Sequence, residues 1–274
     1  MKLKGAILIA ASAAVLAGAL AGASAAQVGP VYATPVPDGL KPGTGAPFPK
    51  GGYAALDALP DWGGVWTLEF HPPQPGEAPR PRPPGPRLKG KYLEAYQAWR
   101  EQMVKNNGVV KSETSHCTPP GMPGIMTLAQ YPYEFLFTPG RVTINQEAWM
   151  QTRHIFTDGR PHPEDPDPTY MGDSIGRWDG DTLVVDTIAI KDTVPLSMGM
   201  THSDKLHITE RMHLKPGDPD TLLNEITVED PEALAEPWHT TATYHRDRYG
   251  QLLEFECAEN DRNPVDEHGN TEFE

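Results

Sequence analysis

From Tyr133 onward, apolar residues recur at every second position in short runs separated by turn-forming pairs, and that period of two dominates what the chain can fold into. Runs at 133–137 and 141–147 flank Thr138-Pro139-Gly140, and the run at 150–156 stops before Asp158-Gly159. Runs at 174–178 and 181–187 flank Asp179-Gly180, a pair whose easy access to positive φ suits a tight hairpin. Further runs at 205–214, 221–228, 238–247 and 252–258 follow with no helical spacing between them. About ten strands in this order predict a mainly β fold, an antiparallel meander closing into a lipocalin-like barrel or a strongly curved sheet.

Upstream the composition changes. Fifteen of the 30 prolines lie between Pro30 and Pro86, where Pro72-Pro73, Pro75 and Pro79 interrupt any apolar period, so most of that stretch reads as an extended arm. Within it, Trp66, Leu68 and Phe70 alternate after Asp61 and Gly63-Gly64, which predicts one strand near 62–70. Tyr92, Tyr96, Trp99 and Met103 then share one helical face, predicting an amphipathic helix over 88–107 with Gly108 as its stop. These shifts divide the chain into a leader over 1–26, a Pro/Gly-rich arm over 27–87, the helix, a β-rich domain over 108–263 and an acidic tail over 264–274.

Lys2 and Lys4, a small-apolar run over 5–20 and Ala23-Ser24-Ala25-Ala26 have the anatomy of a secretory signal peptide, so the mature chain is expected to be periplasmic or secreted. No later window has the length of apolar sequence that a membrane span needs. The net charge of −14, made more negative by loss of the two leader lysines, repels phosphate backbones and argues against a nucleic-acid partner. In an oxidising compartment Cys117 and Cys257 are most simply one structural disulfide, with two separately buried thiols as the alternative.

Several residues are candidates for chemistry. Gly172-Asp173-Ser174-Ile175-Gly176 matches the G-x-S-x-G pattern of a hydrolase nucleophile, but a proline-rich loop precedes it and a hairpin follows, so Ser174 reads as the start of a strand. The loop over 158–173 is polar and stiffened by Pro161, Pro163, Pro166 and Pro168. It offers His162 as a general acid or base, Tyr170 as a phenol donor, and Arg160 and Asp173 as substrate-binding groups; the alternative is a solvated connection. Asp165, Asp167 and Asp173 supply oxygen ligands of the type calcium takes, without the EF-hand glycine and glutamate spacing.

Alternation in the run 205–214 puts Glu210 on the same face as Leu206, Ile208, Met212 and Leu214. A carboxylate facing an apolar interior must be paired or hold its proton, so Glu210 is either a cavity general base or the partner of an arginine such as Arg153 or Arg211. Arg153 counts equally as a substrate-binding candidate. His202, just before that run, is placed to meet His162 across the rim. His207 and His213, like His239 and His245, fall on polar strand faces. Zinc, dinucleotide, Walker and haem-attachment patterns are missing, so no cofactor is expected.

The segments Tyr133-Glu-Phe-Leu-Phe-Thr-Pro-Gly-Arg-Val-Thr-Ile, Phe156-Thr-Asp-Gly-Arg-Pro-His-Pro, Gly172-x-Ser-Ile-Gly-x-Trp-x-Gly-Asp-Thr-Leu-Val-Val-Asp-Thr, His202-Ser-Asp-Lys-Leu-His and Glu229-Asp-Pro-Glu-Ala-Leu resemble those of a widespread uncharacterised family of secreted proteobacterial proteins. The resemblance spans roughly 62–263 and implies export, with no activity to carry over. The family pattern often has histidine where this chain has Asp173 and Arg177, which implies that a site relying on those histidines is altered here.

Three functions fit these readings. The first is an exported cofactor-independent enzyme, of lyase, isomerase or hydrolase type, acting on a small aromatic or apolar molecule in a barrel cavity. Glu210 or His162 would move protons there, and Tyr170 or His202 would polarise the substrate. The second is a non-catalytic periplasmic small-molecule-binding protein, and the third an interaction protein working through the proline-rich arm.

Overall fold

In the computed structural model, which describes residues 52–70, 84–108, 117–128 and 131–257, nine strands close into one barrel. They are β1 (Val65–Leu68), β2 (Tyr133–Thr138), β3 (Arg141–Gln146), β4 (Gln151–Phe156), β5 (Asp173–Asp179), β6 (Thr182–Ile188), β7 (His207–Lys215), β8 (Asp218–Glu229) and β9 (Trp238–Asp247). The leader, most of the arm and the acidic tail lie outside the described residues. The strand order follows the chain, and every neighbouring pair is antiparallel except β4 and β5, as expected of a meander closed on itself. Those two run parallel and share only Ile155↔Ser174 and Phe156↔Ile175. A parallel neighbour forces the chain to travel back along the barrel before re-entering it, and this is the task of the proline-stiffened loop between them.

Turn chemistry placed the hairpins well. Pro139-Gly140 joins β2 to β3. Between β5 and β6 the two loop residues are Gly180 and Asp181, with Gly180 at φ +60, the conformation that a glycine-first two-residue loop uses. The barrel closes through β1, which has four register pairs with β9 and two with β2. Arg246 reinforces that short strand, donating to Asp61 at 3.0 Å and lying 4.6 Å from the Trp66 ring centre. Phe70, expected to continue the strand, is exposed.

The strand expected over 252–258 does not form within the described residues up to 257. Alternation is present there, but both edges of β9 are already paired, by β8 and β1, so the segment has no ladder to join. It is held by Leu253 N–H donating to Glu147, by Phe255 packing on Tyr131 and Trp149, and by the Cys117–Cys257 disulfide.

Side chains close both ends of the barrel. At one end the Trp62 ring meets Phe135, Phe137 and Trp178 at 5.4, 5.4 and 5.5 Å. At the other a 3-10 turn, Gly124–Thr127, brings Ile125 and Met126 against the core. Its carbonyls accept from Tyr133 at 2.8 Å, Gln146 at 3.0 Å and Tyr244 at 2.5 Å. Burial pushes both phenols well above their ordinary value, so they serve here as neutral donors.

The helix α1 spans Gly90–Lys105 and lies outside the barrel. Leu88, expected as its first residue, instead bridges to Leu234. Asn107 and Gly108 donate to Val104 and Met103, the paired bonds that satisfy orphan carbonyls at a helix end. Tyr92 and Tyr96 pack on the core, and Trp99 lies so close to Gly199 that a Cβ there would sit 2.4 Å from its ring.

The disulfide closes a loop of 140 residues, with Cα atoms 5.6 Å apart. Replacing both cysteines by serine is expected to lower stability by about 2–5 kcal/mol. Guanidinium unfolding measures this, and an unchanged midpoint would mean that packing alone ties these segments.

Candidate functional site

Glu210 faces the interior, as its alternation required, and is fully buried. Its partner is Arg153, only 3% exposed, whose Nη2 donates to Glu210 Oε2. The other oxygen accepts from Asn224 Nδ2 at 2.8 Å. Arg153 also donates to Ser174 at 3.2 Å and Thr187 at 2.9 Å, and those two hydroxyls lie 2.9 Å apart. Of the two arginines considered, Arg211 follows Glu210 directly in β7, so it must point outward, and it pairs with Asp179 at 3.6 Å. The interior expected to hold a ligand beside Glu210 is filled with side chains, and the void bordering Arg153 measures about 10 Å³. Glu210 therefore holds the barrel's polar core together. Ser174 is a buried residue of β5 and has no nucleophile-elbow geometry.

The parallel seam opens a different site. Because β4 pairs with β5 only at Ile155 and Phe156, its first half borders the returning loop across a groove of about 360 Å³. Phe156, Tyr170 and Met171 give the groove apolar walls, while Gln151, His154 and Asp173 add polar groups. Tyr170 and Asp173 were both expected at a site, and Arg153 stands behind the groove through its bond to Ser174, which lines it. Two other depressions, of about 380 and 390 Å³, gather none of the expected residues. Gly172 shapes this wall: its φ is +70, and a Cβ would lie 2.5 Å from the Ile188 carbonyl. His154 sits below its ordinary value, through loss of hydration and then the charge of Arg141.

Outside the barrel a chain of acids and imidazoles fixes the loop. His162 Nδ1 lies 2.5 Å from Asp173 and its Nε2 2.8 Å from Asp186. The second Asp186 oxygen is 2.8 Å from His207 Nε2, and His207 Nδ1 lies 3.6 Å from Glu229. Burial alone would raise the Asp186 carboxyl, but the hydrogen bonds and charges of the two histidines outweigh it and hold it below its ordinary value. Asp186 was missed from sequence, and His207 was read only as solvent-facing; their shared polar face on adjacent strands was the available signal. Arg160 grips Asp158 with bonds of 2.6 to 3.0 Å and stacks 3.9 Å from the Phe156 ring, so it braces the loop. Asp165 and Asp167 are exposed, and among the described residues no group of His, Cys, Asp or Glu is arranged to hold a metal ion.

His202 does not reach His162 through a hydrogen bond. It is 3% exposed, and its Nδ1 donates to the Ser203 carbonyl at 2.7 Å. Ser203 in turn donates to Asp230 through both N–H and hydroxyl, at 2.7 and 2.8 Å. The His202-Ser-Asp and Glu229-Asp-Pro segments thus meet as a clamp between the loops flanking β7 and β8. Burial pushes Asp230 up, but these donors and the Ala233 and Glu232 amides bring it below its ordinary value.

Fold and groove together define the class: a mainly β, closed nine-stranded barrel of the lipocalin-like kind, with a polar core and a groove in its wall. No protein-family model matches the chain, and neither does any curated protein. No helix among the described residues is long and apolar enough to cross a membrane.

Arg153→Met is expected to cost about 3–5 kcal/mol, because it strands a buried charge on Glu210, whereas pairing it with Glu210→Met recovers much of that loss. Urea unfolding of the single and double variants checks this, and equal losses would point to packing rather than charge. For Asp186, the folded value lies below the unfolded one, so its contribution is complete above 3.8 and disappears as pH falls through the lowered value. Asp186→Asn should therefore be less stable than the native chain near about pH 6, keep that deficit down to 3.8, and converge with it only as pH falls further, through the lowered value. Melting temperatures across that range test it, and a gap independent of pH would refute the assignment.

Proposed function

We propose that the chain is an exported, non-catalytic small-molecule-binding barrel that takes an aromatic or apolar ligand in the wall groove at the β4–β5 seam. The observation that carries this reading is the groove itself, about 360 Å³, where Phe156, Tyr170 and Met171 stand beside Gln151, His154 and Asp173. Small-ligand sites have that size and that mixture, an apolar lining with a few polar groups fixing orientation. Export is supported by the leader-like start of the sequence and by a disulfide, which persists in oxidising compartments. A proton-transfer role for Glu210 is disfavoured because both of its oxygens are engaged and it is fully buried.

A second reading, acid–base catalysis at the groove, has one observation in its favour: Asp173 lines the groove and is hydrogen-bonded to His162. The two readings separate in Asp173→Asn, which abolishes turnover at retained affinity in an enzyme and changes affinity alone in a binding protein.

Native mass spectrometry of the protein purified from its exported fraction is expected to reveal an organic adduct that denaturation removes. Thr152→Trp, which fills the groove from an exposed strand position, should remove the adduct, and Tyr170→Ala should weaken binding about tenfold through loss of an aromatic wall. An adduct retained in Thr152→Trp would place the ligand elsewhere, and a bare mass combined with no binding from a panel of small aromatics would overturn the reading.

A further inference from the structure

Among the buried polar atoms without a hydrogen-bond partner are Arg153 Nη1, a donor, and Gln146 Oε1, an acceptor. Both side chains are only 3% exposed. They border the same void of about 10 Å³, and two further walls of that void, Gln151 and Met171, are also walls of the groove. The groove and the void therefore neighbour one another and share Gln151 and Met171, a flexible side chain, as walls. A buried donor and a buried acceptor left unpaired each carry the cost of lost hydration, so a group that satisfies both is favoured.

The chemistry of that group follows from the chamber. Its volume corresponds to about one water-sized group, which admits a single heavy atom. That atom must accept from a guanidinium and donate to an amide oxygen, and a hydroxyl does both. An ether oxygen accepts but leaves Gln146 Oε1 unpaired, and an ammonium donates but cannot accept. A carboxylate is too large, donates nothing, and brings a negative charge to an arginine whose charge Glu210 already neutralises. A hydroxyl also reproduces the hydrogen bonds of a water molecule in the same place.

We propose that this void is the head-group subsite of the groove and that the ligand is a hydroxyl compound, an apolar alcohol or a phenol. Its oxygen lies between Arg153 and Gln146, and its apolar body lies against Phe156, Tyr170 and Met171. The inference rests on the groove reading above and deepens it by naming the ligand class.

Isothermal titration of the intact chain with 4-ethylphenol, 3-phenylpropan-1-ol, 4-ethylanisole and 4-ethylbenzoate tests it. The phenol or the alcohol is expected to bind at least about tenfold more tightly than the ether, since a site built to hydrogen-bond a hydroxyl rejects the analogue lacking it. Whichever of the two binds more tightly identifies the source of the hydroxyl. Gln146→Met should erase the preference over the ether, and should that variant fail to fold, the comparison on the native chain decides alone. Equal affinity for phenol, alcohol and ether, with all three lost in Thr152→Trp, overturns the head-group subsite while leaving the groove reading in place. Tightest binding of the benzoate overturns it in favour of an anion site. Absence of binding by all four probes overturns the subsite and the groove reading together.

Discussion

The ion pair between Arg153 and Glu210 is the interaction on which the rest of the barrel depends. The guanidinium sits on β4 and bonds to side chains from β5, β6 and β7, and Glu210 passes the contact on to Asn224 of β8. Five consecutive strands are thus joined through one polar spine, which crosses the parallel seam of only two register pairs. A buried pair of this kind gains little net stability over an apolar equivalent, because both charges must first leave water. Its effect is on register. A slip of one residue in β4 or β7 would turn one charge outward and leave the other unpaired in the core.

The same seam governs where the proposed ligand would sit. Aromatic rings fill one end of the barrel and the turn at Gly124–Thr127 fills the other, so neither end offers the open mouth of a typical ligand-carrying barrel. The wall at β4 and β5 is different, since two register pairs leave half of β4 facing a loop instead of a strand. The loop holds its place through Arg160 on Asp158 and Phe156, and through His162 between Asp173 and Asp186. Scaffold and site are therefore built from the same residues, and the groove's shape is as rigid as the loop that lines it.

Legibility in the sequence followed the range of the physics. Hairpins at Pro139-Gly140 and Gly180-Asp181 are decided by a few adjacent residues, and they were read almost to the residue. The inward aspect of Glu210 was legible because alternation is a local rule; of the two arginines considered as its partner, the structure turns Arg211 outward to Asp179 and leaves Arg153. The direction of β5 relative to β4 was not legible, because nothing in a proline-rich loop encodes whether the next strand runs parallel or antiparallel. The contact of His162 with Asp186 depends on that direction and was hidden with it. The run after 250 alternated like a strand and failed to become one, because strand formation also requires a vacant edge, a property of the whole sheet.

Nine is an odd number, and a ring of strands that alternate up and down closes only when their number is even. A meander of nine must contain one neighbouring pair that points the same way, as a ring of nine beads in two colours must somewhere set like beside like. The parallel contact of β4 with β5 is this unavoidable mismatch, and strand count alone guarantees that it exists. Here the mismatch falls where an arginine lies behind the wall and a tyrosine and an aspartate in front of it. A parity defect that any odd barrel must carry somewhere has become the address of the groove.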